Sequence, residues 1–370
     1  MKILTIGLDA TVLDKNSPLN ERFKLYGELT NRHDIVVPTP CSSETPITDK
    51  VMVYSIKKTN KFSDFFSILS LAKKIIKKNG YDLITTRDPY FLGLLALYLS
   101  RRNSLGLEIQ VHGFEKLNPI RKAVARFVLK RADGIRVVSN RLKKDLIKNF
   151  NIKEEVITVV PIFVDCAETK AKAVATAARL EQDEDLTFVT ASRLVPIKNI
   201  PLQIEAMKEV LRAYPNTTLM ILGEGIEKNN LVSLVERLGL KDSVLFEGFV
   251  SDVTVFFARS DCFLLTSNAE GYGLAPIVAA CFGLPVIMTD VGCAGEVIVD
   301  KENGLVIPIN NKDALVNAMI EMIKNKDFRK IVKENNNKMC NKLLSLDETL
   351  NEYLKSWQGI MTRKADKTKA

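Results

Sequence analysis

Short apolar runs alternate with amphipathic stretches along almost the whole chain. In the first half, KILTIGL, DIVVP, VMVYSI, DLITT, LEIQVHG, GIRVVS and VITVVP have the length and β-branched content of strands. Between them, FSDFFSILSLAKKIIKKNG and NPIRKAVARFVLKRA repeat apolar residues at helical spacing, the former stopping on Gly80. A polar, alanine-rich segment, residues 166–185, interrupts the pattern and predicts a linker. The alternation then resumes with strands LTFVTAS, TTLMILG, SVLFEGF, CFLLTS, PVIMTD and GLVIPI, separated by helices such as PLQIEAMKEVLRAY and NNLVSLVERLGL. Alternating strand and helix predicts parallel sheets covered on both faces. Two such series predict two Rossmann-like α/β domains, residues 1–165 and 186–345. The final LDETLNEYLKSWQGIM, about residues 346–362, is a helix with no strand after it and is expected to pack back on the first domain.

Open parallel sheets bind ligands at the carboxyl ends of their strands. After TFVTAS come Arg193 and Lys198; after LMILG come Gly223 and Gly225; after VLFEGF comes Val250. His112 and Gly113 follow LEIQV, and NAEGYGL follows FLLTS. A glycine turn opening a helix offers main-chain amides and a positive dipole end to a phosphate. Glu270 stands directly before that turn, where a carboxylate should repel the anion. A nucleoside diphosphate joined to a neutral, hydroxyl-rich group resolves the conflict. Arg193 and Lys198 would clamp the diphosphate. The amides of Gly271, Tyr272, Gly273 and Leu274 would take further oxygens, and Glu270 would accept hydrogen bonds from the neutral group.

Composition narrows the picture. With 370 residues, 46% of them apolar, the chain can bury two cores. The longest apolar run, YFLGLLALYL, falls short of the roughly 20 residues a spanning helix needs. MKILTIGLDA reads as a first strand, not a signal peptide. The six cysteines include no C-x-x-C pair and there are only two histidines, so reduced, buried thiols in a cytoplasmic protein are expected, and no metal site. Residues 1–165 hold 28 Lys+Arg and 17 Asp+Glu, a net of +11; the whole chain is +9, leaving −2 for the rest. Such asymmetry points to an anionic partner. The helix RKAVARFVLKR (121–131), with Ala123, Phe127 and Val128 on its apolar face, and KKIIKK (73–78) fit an anionic membrane surface. No motif or aromatic platform supports nucleic acid.

The segments ASRLVPIKN, LGEG, LFEGFVSD, SDCFLLTSNAEGYGLAPIVAACFGLPVIMTD and GCAGEVIVDKENGLVIP and, earlier in the chain, ADGIRVVSNRLKKDL with ITVVPIFVD, by their order and spacing together, resemble glycosyltransferase family 4. The resemblance spans about residues 81–357 and is strongest over 191–308. It implies a GT-B architecture, with two Rossmann-like domains facing across a cleft, and a retaining, metal-independent transfer with no cofactor. The donor would be a nucleotide sugar and the acceptor a glycan or lipid-linked molecule, used in cell-surface polysaccharide or glycolipid synthesis at the inner face of the membrane. Arg193 and Lys198 match the family's diphosphate pair, Glu270 the first of two glutamates that hold the donor, and His112 a histidine near the reaction centre. Val278 stands where the family's second, ribose-binding glutamate is usual, and a pocket adapted to valine is expected. Gly7 alone remains of a usual Gly-Gly pair. An epimerase or hydrolase of the same fold, and a catalytically weak sugar-nucleotide-binding protein, are the alternatives.

Overall fold

The computed structural model of the chain describes residues 1–114, 118–176 and 186–369. These divide into two units: Met1–Pro161 together with the segment from Leu346 onward, and Ile162–Ser345.

The first unit is built on an eight-stranded sheet. Its strands are β1 (Lys2–Ile6), β2 (Arg32–Thr39), β3 (Ser43–Thr48), β4 (Val51–Lys57), β5 (Leu83–Thr86), β6 (Gly106–Val111), β7 (Gly134–Val137) and β8 (Ile157–Val159). Their spatial order is β3-β4-β2-β1-β5-β6-β7-β8, and all neighbours are parallel except β3 and β4. The strand β3 has no counterpart among the seven apolar runs. Its sequence SETPIT is polar and carries Pro46, which an edge strand tolerates because one side of its ladder is unpaired.

A buried carboxylate ties the last helix, Leu346–Lys369, to this sheet. Glu108 on β6 pairs with Arg136 on β7 at 3.2 Å. Its oxygens also accept from Thr85 Oγ1 (2.7 Å), Ser356 Oγ (3.1 Å) and the Trp357 indole (3.3 Å). Burial opposes ionisation of Glu108, but Arg136 and these donors outweigh it and hold the carboxyl below its ordinary range. Arg136 also lies 4.0 Å from the Tyr353 ring centroid. Glycine makes the docking possible: a Cβ on Gly134 would sit 2.4 Å from Ile360 Cγ1, and one on Gly106 3.1 Å from Ile360 Cγ2.

The second unit has a six-stranded, wholly parallel sheet in the order β11-β10-β9-β12-β13-β14. Its strands are β9 (Thr187–Ala191), β10 (Thr218–Leu222), β11 (Val244–Gly248), β12 (Cys262–Leu265), β13 (Val286–Thr289) and β14 (Leu305–Ile307). Phe188, Leu219, Ile221 and Leu264 bury against Ile204 and Met207 of the helix Ile200–Val210 and Met319 of the helix Lys312–Lys324.

Three expectations need correction. Part of the 166–185 linker is a helix, Cys166–Thr176, packed on the helix Leu274–Phe282; residues 177–185 lie outside the described residues. Alanine has the highest helix propensity, so an alanine-rich segment next to a core folds readily onto it. The cysteines are not all thiols: Cys166 and Cys281 form a disulfide, and Cys41 is exposed. In the helix Pro119–Leu129 the buried residues are Ala125, Val128 and Leu129, while Ala123 and Phe127 face outward, Phe127 beneath the Arg131 guanidinium at 3.8 Å.

His33, on β2, is enclosed by Phe23, Tyr26 and Trp357, with Nε2 2.8 Å from Thr5 Oγ1. Burial, reinforced by Arg136, pushes its pKa down to about 3. The folded pKa lies below the unfolded one, so the unfolded chain binds the extra proton and stability falls as pH drops through the window from about 6.5 towards 3. Between pH 7.5 and 5 this one group should remove about 2 kcal/mol. The single tryptophan, Trp357, reports unfolding of the first unit. In His33→Phe, the drop in its urea stability between those pH values should be smaller by about that amount; equal drops in both proteins would refute a neutral buried His33.

Candidate functional site

In the second sheet the strand order reverses between β9 and β12, so the loops leaving these neighbours diverge and open a crevice at their carboxyl ends. The first loop runs to a 3-10 turn, Pro196–Lys198, followed by Asn199 in the left-handed region. The second runs from Thr266 to Gly273. They are stitched together: Thr266 Oγ1 donates to the carbonyls of Lys198 (3.2 Å) and Asn199 (3.0 Å), and the Asn268 amide donates to Ile197 O (2.8 Å).

Across this seam Lys198 Nζ lies 2.5 Å from Glu270 Oε1, their side chains only 16% and 13% exposed. Ser267 Oγ donates to the same oxygen at 2.7 Å. The carboxylate beside the glycine turn is therefore balanced by a cation and a hydroxyl. Partial burial strengthens the pair relative to one in water and makes either partner costly to leave alone. Arg193 stands exposed on the same loop as Lys198.

The helix Leu274–Phe282 starts at Gly273 (φ 85°) with no side-chain cap. Six other helices open under Ser17, Asn60, Asn118, Ser139, Asn311 or Asn325, whose side chains accept from the first amides, while those starting at Phe91, Ile200 and Lys228 also lack a side-chain cap. An uncapped amino end with a preceding glycine turn suits an anion. The turn is braced by the loop after β13, where the Cys293 amide donates to Tyr272 O at 2.7 Å. A Cβ on Gly292 (φ 56°) would lie 2.4 Å from Tyr272 O and 2.9 Å from Glu270 Cβ. Tyr272 is itself buried, and burial raises its phenol above the ordinary value, so its side chain serves the packing of the turn. Gly271 lies between Glu270 and Tyr272 in that turn. Leu274 is exposed and Val278, one turn on along the same face, is half-buried.

Gly223 and Gly225 have a packing role. A Cβ on Gly223 would meet Ser192 O at 1.9 Å and one on Gly225 would meet Leu194 O at 2.2 Å. The Leu194 amide donates to Glu224 O at 2.9 Å. These glycines let the loop after β10 lie against the main chain on either side of Arg193. Beyond β11, Val250 is half-buried, but its neighbour Phe249 is 79% exposed, as is Ile226 after β10.

His112 belongs to the first unit, directly after β6 and before Gly113 (φ 140°). Burial pushes it down to about 3, helped by Arg87, Arg136 and Arg22, so the imidazole is neutral near pH 7. Arg87 follows β5, and burial lowers its guanidinium too. In this sheet the strand order reverses between β1 and β5, so Arg87 and the Gly7 loop flank the second reversal point. Arg22, Arg87, Ser267, Phe249 and Gly292 were missed by sequence reasoning. For Arg87 the signal was present: it is the first residue after the strand DLITT, where the rule used for the other loops applies.

The model for "Glycosyltransferase Family 4" matches residues 23–168 and that for "Glycosyl transferases group 1" matches residues 174–339. A UDP-Gal:alpha-D-GlcNAc-diphosphoundecaprenol alpha-1,3-galactosyltransferase of Escherichia coli is 26% identical over 81% of this chain and 83% of its own. An alpha-monoglucosyldiacylglycerol synthase of Streptococcus pneumoniae is 25% identical over 64% of this chain and 58% of its own. Among solved structures, Anabaena HepE in complex with UDP has a TM-score of 0.78 at 18% identity, covering 97% of this chain and 100% of its own, and it has also been solved with UDP-glucose. The two models together take in most of the chain, one for each unit, and the chain belongs to glycosyltransferase family 4 as an enzyme of GT-B architecture.

Proposed function

We propose that this glycosyltransferase moves a sugar, with retention of configuration and without a metal ion, from a nucleoside diphosphate sugar to a lipid-linked or polysaccharide acceptor. The observation that carries the donor half is the Lys198–Glu270 pair beside the uncapped turn 271–274. A nucleotide sugar offers both charges a new partner, its diphosphate to Lys198 and its sugar hydroxyls to Glu270. As the bond from the anomeric carbon to the diphosphate breaks, charge grows on the departing oxygen. Lys198, Arg193 and the first amides of the helix Leu274–Phe282 stabilise that charge. Two cations and a helix end supply the role a divalent ion plays elsewhere. Phe249 and Ile226 give a nucleobase apolar surface, with Val250 beside them. UDP is the first nucleotide to test, because the HepE structures hold it. His112, neutral in the first unit, can accept a hydrogen bond from a substrate hydroxyl.

The acceptor half rests on the first unit. Phe62 and Phe66, Phe91, and Ile120 are exposed in the first two turns of the helices Lys61–Asn79, Phe91–Arg102 and Pro119–Leu129. These turns follow the carboxyl ends of β4, β5 and β6, where Lys57, Arg121 and Lys122 add positive charge. Apolar tips among cations suit a lipid-linked acceptor at an anionic membrane surface, and the inner leaflet is the natural location. The E. coli and S. pneumoniae relatives carry lipid-linked molecules in their names. No described helix is long and apolar enough to cross a membrane.

Three outcomes test the reading. Lys198→Ala should lower kcat/KM by on the order of a hundredfold, while Glu270→Gln should lower kcat more than affinity for UDP. Because the two side chains pair, the double mutant should lose less than the product of the single losses; strict multiplicativity would show that they act apart. Turnover should be unchanged by added Mg2+ or Mn2+, and NMR of the product should show the donor's anomeric configuration; metal-dependent turnover or inversion defeats the mechanism. Val278→Glu, at the half-buried position one turn after the exposed Leu274, should tighten UDP binding by about ten- to a hundredfold through one charge-assisted hydrogen bond, with an unchanged melting temperature. Calorimetry showing weaker binding would place the ribose elsewhere.

A further inference from the structure

Three buried cysteines, far apart in sequence, meet inside the second unit. Cys166 opens the helix Cys166–Thr176, Cys281 lies near the end of the helix Leu274–Phe282, and Cys340 closes the helix Lys326–Cys340. Their sulfurs all lie within 4.8 Å of one another. The helix Leu274–Phe282 packs against both of the others. Taken singly, each could be a small apolar filler of the core, as buried cysteines often are. Three sulfurs at one point from three helices are a different matter. The Cys166–Cys281 disulfide accounts for two of them and leaves the Cys340 thiol against it.

We propose that, when the Cys166–Cys281 bond is reduced, Cys166, Cys281 and Cys340 form a binding site for a thiophilic divalent cation, of which Zn2+ is the representative. Reduction takes two electrons from a small-molecule dithiol, which becomes a disulfide and gives up its two protons, or from a phosphine, which becomes its oxide while water supplies the oxygen and the two protons; either way three thiols remain. The cation then displaces a proton from each sulfur it binds. Thiolates select soft and borderline ions over Mg2+ and Ca2+. Sulfurs held about 2.3 Å from one zinc in a tetrahedron are about 3.8 Å apart, so on reduction the Cys166 and Cys281 sulfurs part from bonding distance to that separation, with Cys340 already in range. The fourth position is left to water. Three thiolates and a dication sum to −1, and Lys170 is placed to offset it. It sits one turn after Cys166, with Nζ 3.5 Å from Asn337 O and 3.4 Å from Asn341 Oδ1, at the end of the helix that carries Cys340. Spacing could not reveal such a site, because its ligands are scattered over 175 positions (340 − 166 + 1). Its place also matters: the helix that carries Cys281 begins at the glycine turn of the donor crevice, so disulfide and metal are two ways of pinning the far end of one helix.

The test uses the full, untagged chain, reduced with a phosphine, desalted without oxygen and titrated with Co2+ as the spectroscopic probe. One equivalent should bind with a thiolate-to-cobalt charge-transfer band, and Zn2+ should displace it. Zn2+ should also raise the melting temperature of the reduced protein. Cys340→Ser should weaken Co2+ binding by at least about a hundredfold, in the range expected when a ligand or its support is lost, while Cys41→Ser leaves it unchanged. The oxidised chain, with Cys340 as the one thiol of the trio, serves where a variant folds poorly and should bind no Co2+. A reduced wild type without the band, a band that survives Cys340→Ser, or equal binding before and after reduction overturns the proposal.

Discussion

Every strand of a parallel sheet must be followed by a crossover that returns the chain to the same starting edge, so all the outgoing loops share one rim. Where the strand order reverses, neighbouring loops leave in opposite directions and no crossover closes the gap between them. In the second unit that gap lies between β9 and β12, and in the first between β1 and β5. This constraint explains why Arg193, Lys198 and Glu270, from distant parts of the sequence, belong to one crevice. It explains equally why Arg87 and His112 follow adjacent strands in the other unit. The chemistry of each unit is where the topology leaves room for it.

What makes these crevices specific shapes is main chain lying on main chain. Gly223 and Gly225 seat one loop against the carbonyls of Ser192 and Leu194, and Gly292 seats another against Tyr272 and Glu270. At these separations any Cβ would displace backbone, not a flexible side-chain tip. The result is a rigid support in which Lys198 and Glu270 are held by loops that are themselves hydrogen-bonded together. The first unit uses glycine for a different end: Gly106 and Gly134 admit the Ile360 side chain, so the last helix can bring Ser356 and Trp357 to the buried Glu108.

The strand and helix alternation was legible because buried parallel strands are continuous apolar runs, and all six strands of the second sheet could be read this way. The edge strand β3 could not, since its residues SETPIT meet solvent and carry no apolar face. Candidate site residues were legible where they follow a strand. Their pairing was not: Lys198 and Glu270 are 72 residues apart, and nothing local in either segment requires the other. The same holds for Gly292, whose role depends on the close approach of a loop that its own neighbours do not predict, and for three cysteines joined only by helix packing. Phe127 shows the opposite failure. Its spacing fits an apolar face, yet Ala125, Val128 and Leu129 already form the buried face, and the ring is left outside under Arg131.

The carboxylate beside the phosphate-seeking turn is then no paradox. Alone, Glu270 would weaken the helix end as an anion site. Paired with Lys198 and hydrogen-bonded by Ser267, it adds no net charge to the crevice. In the proposed donor complex each member exchanges one charge-assisted contact for another, so breaking the pair costs little beyond the geometry of the exchange. In the proposed complex the net attraction for the diphosphate is assigned to the amides after Gly273, which no side chain caps, together with Arg193. A free phosphate could satisfy those groups but could not use Glu270. In the proposed complex a ligand carrying both an anion and sugar hydroxyls recovers both halves of the divided pair, which would favour a nucleotide sugar over the nucleotide it releases.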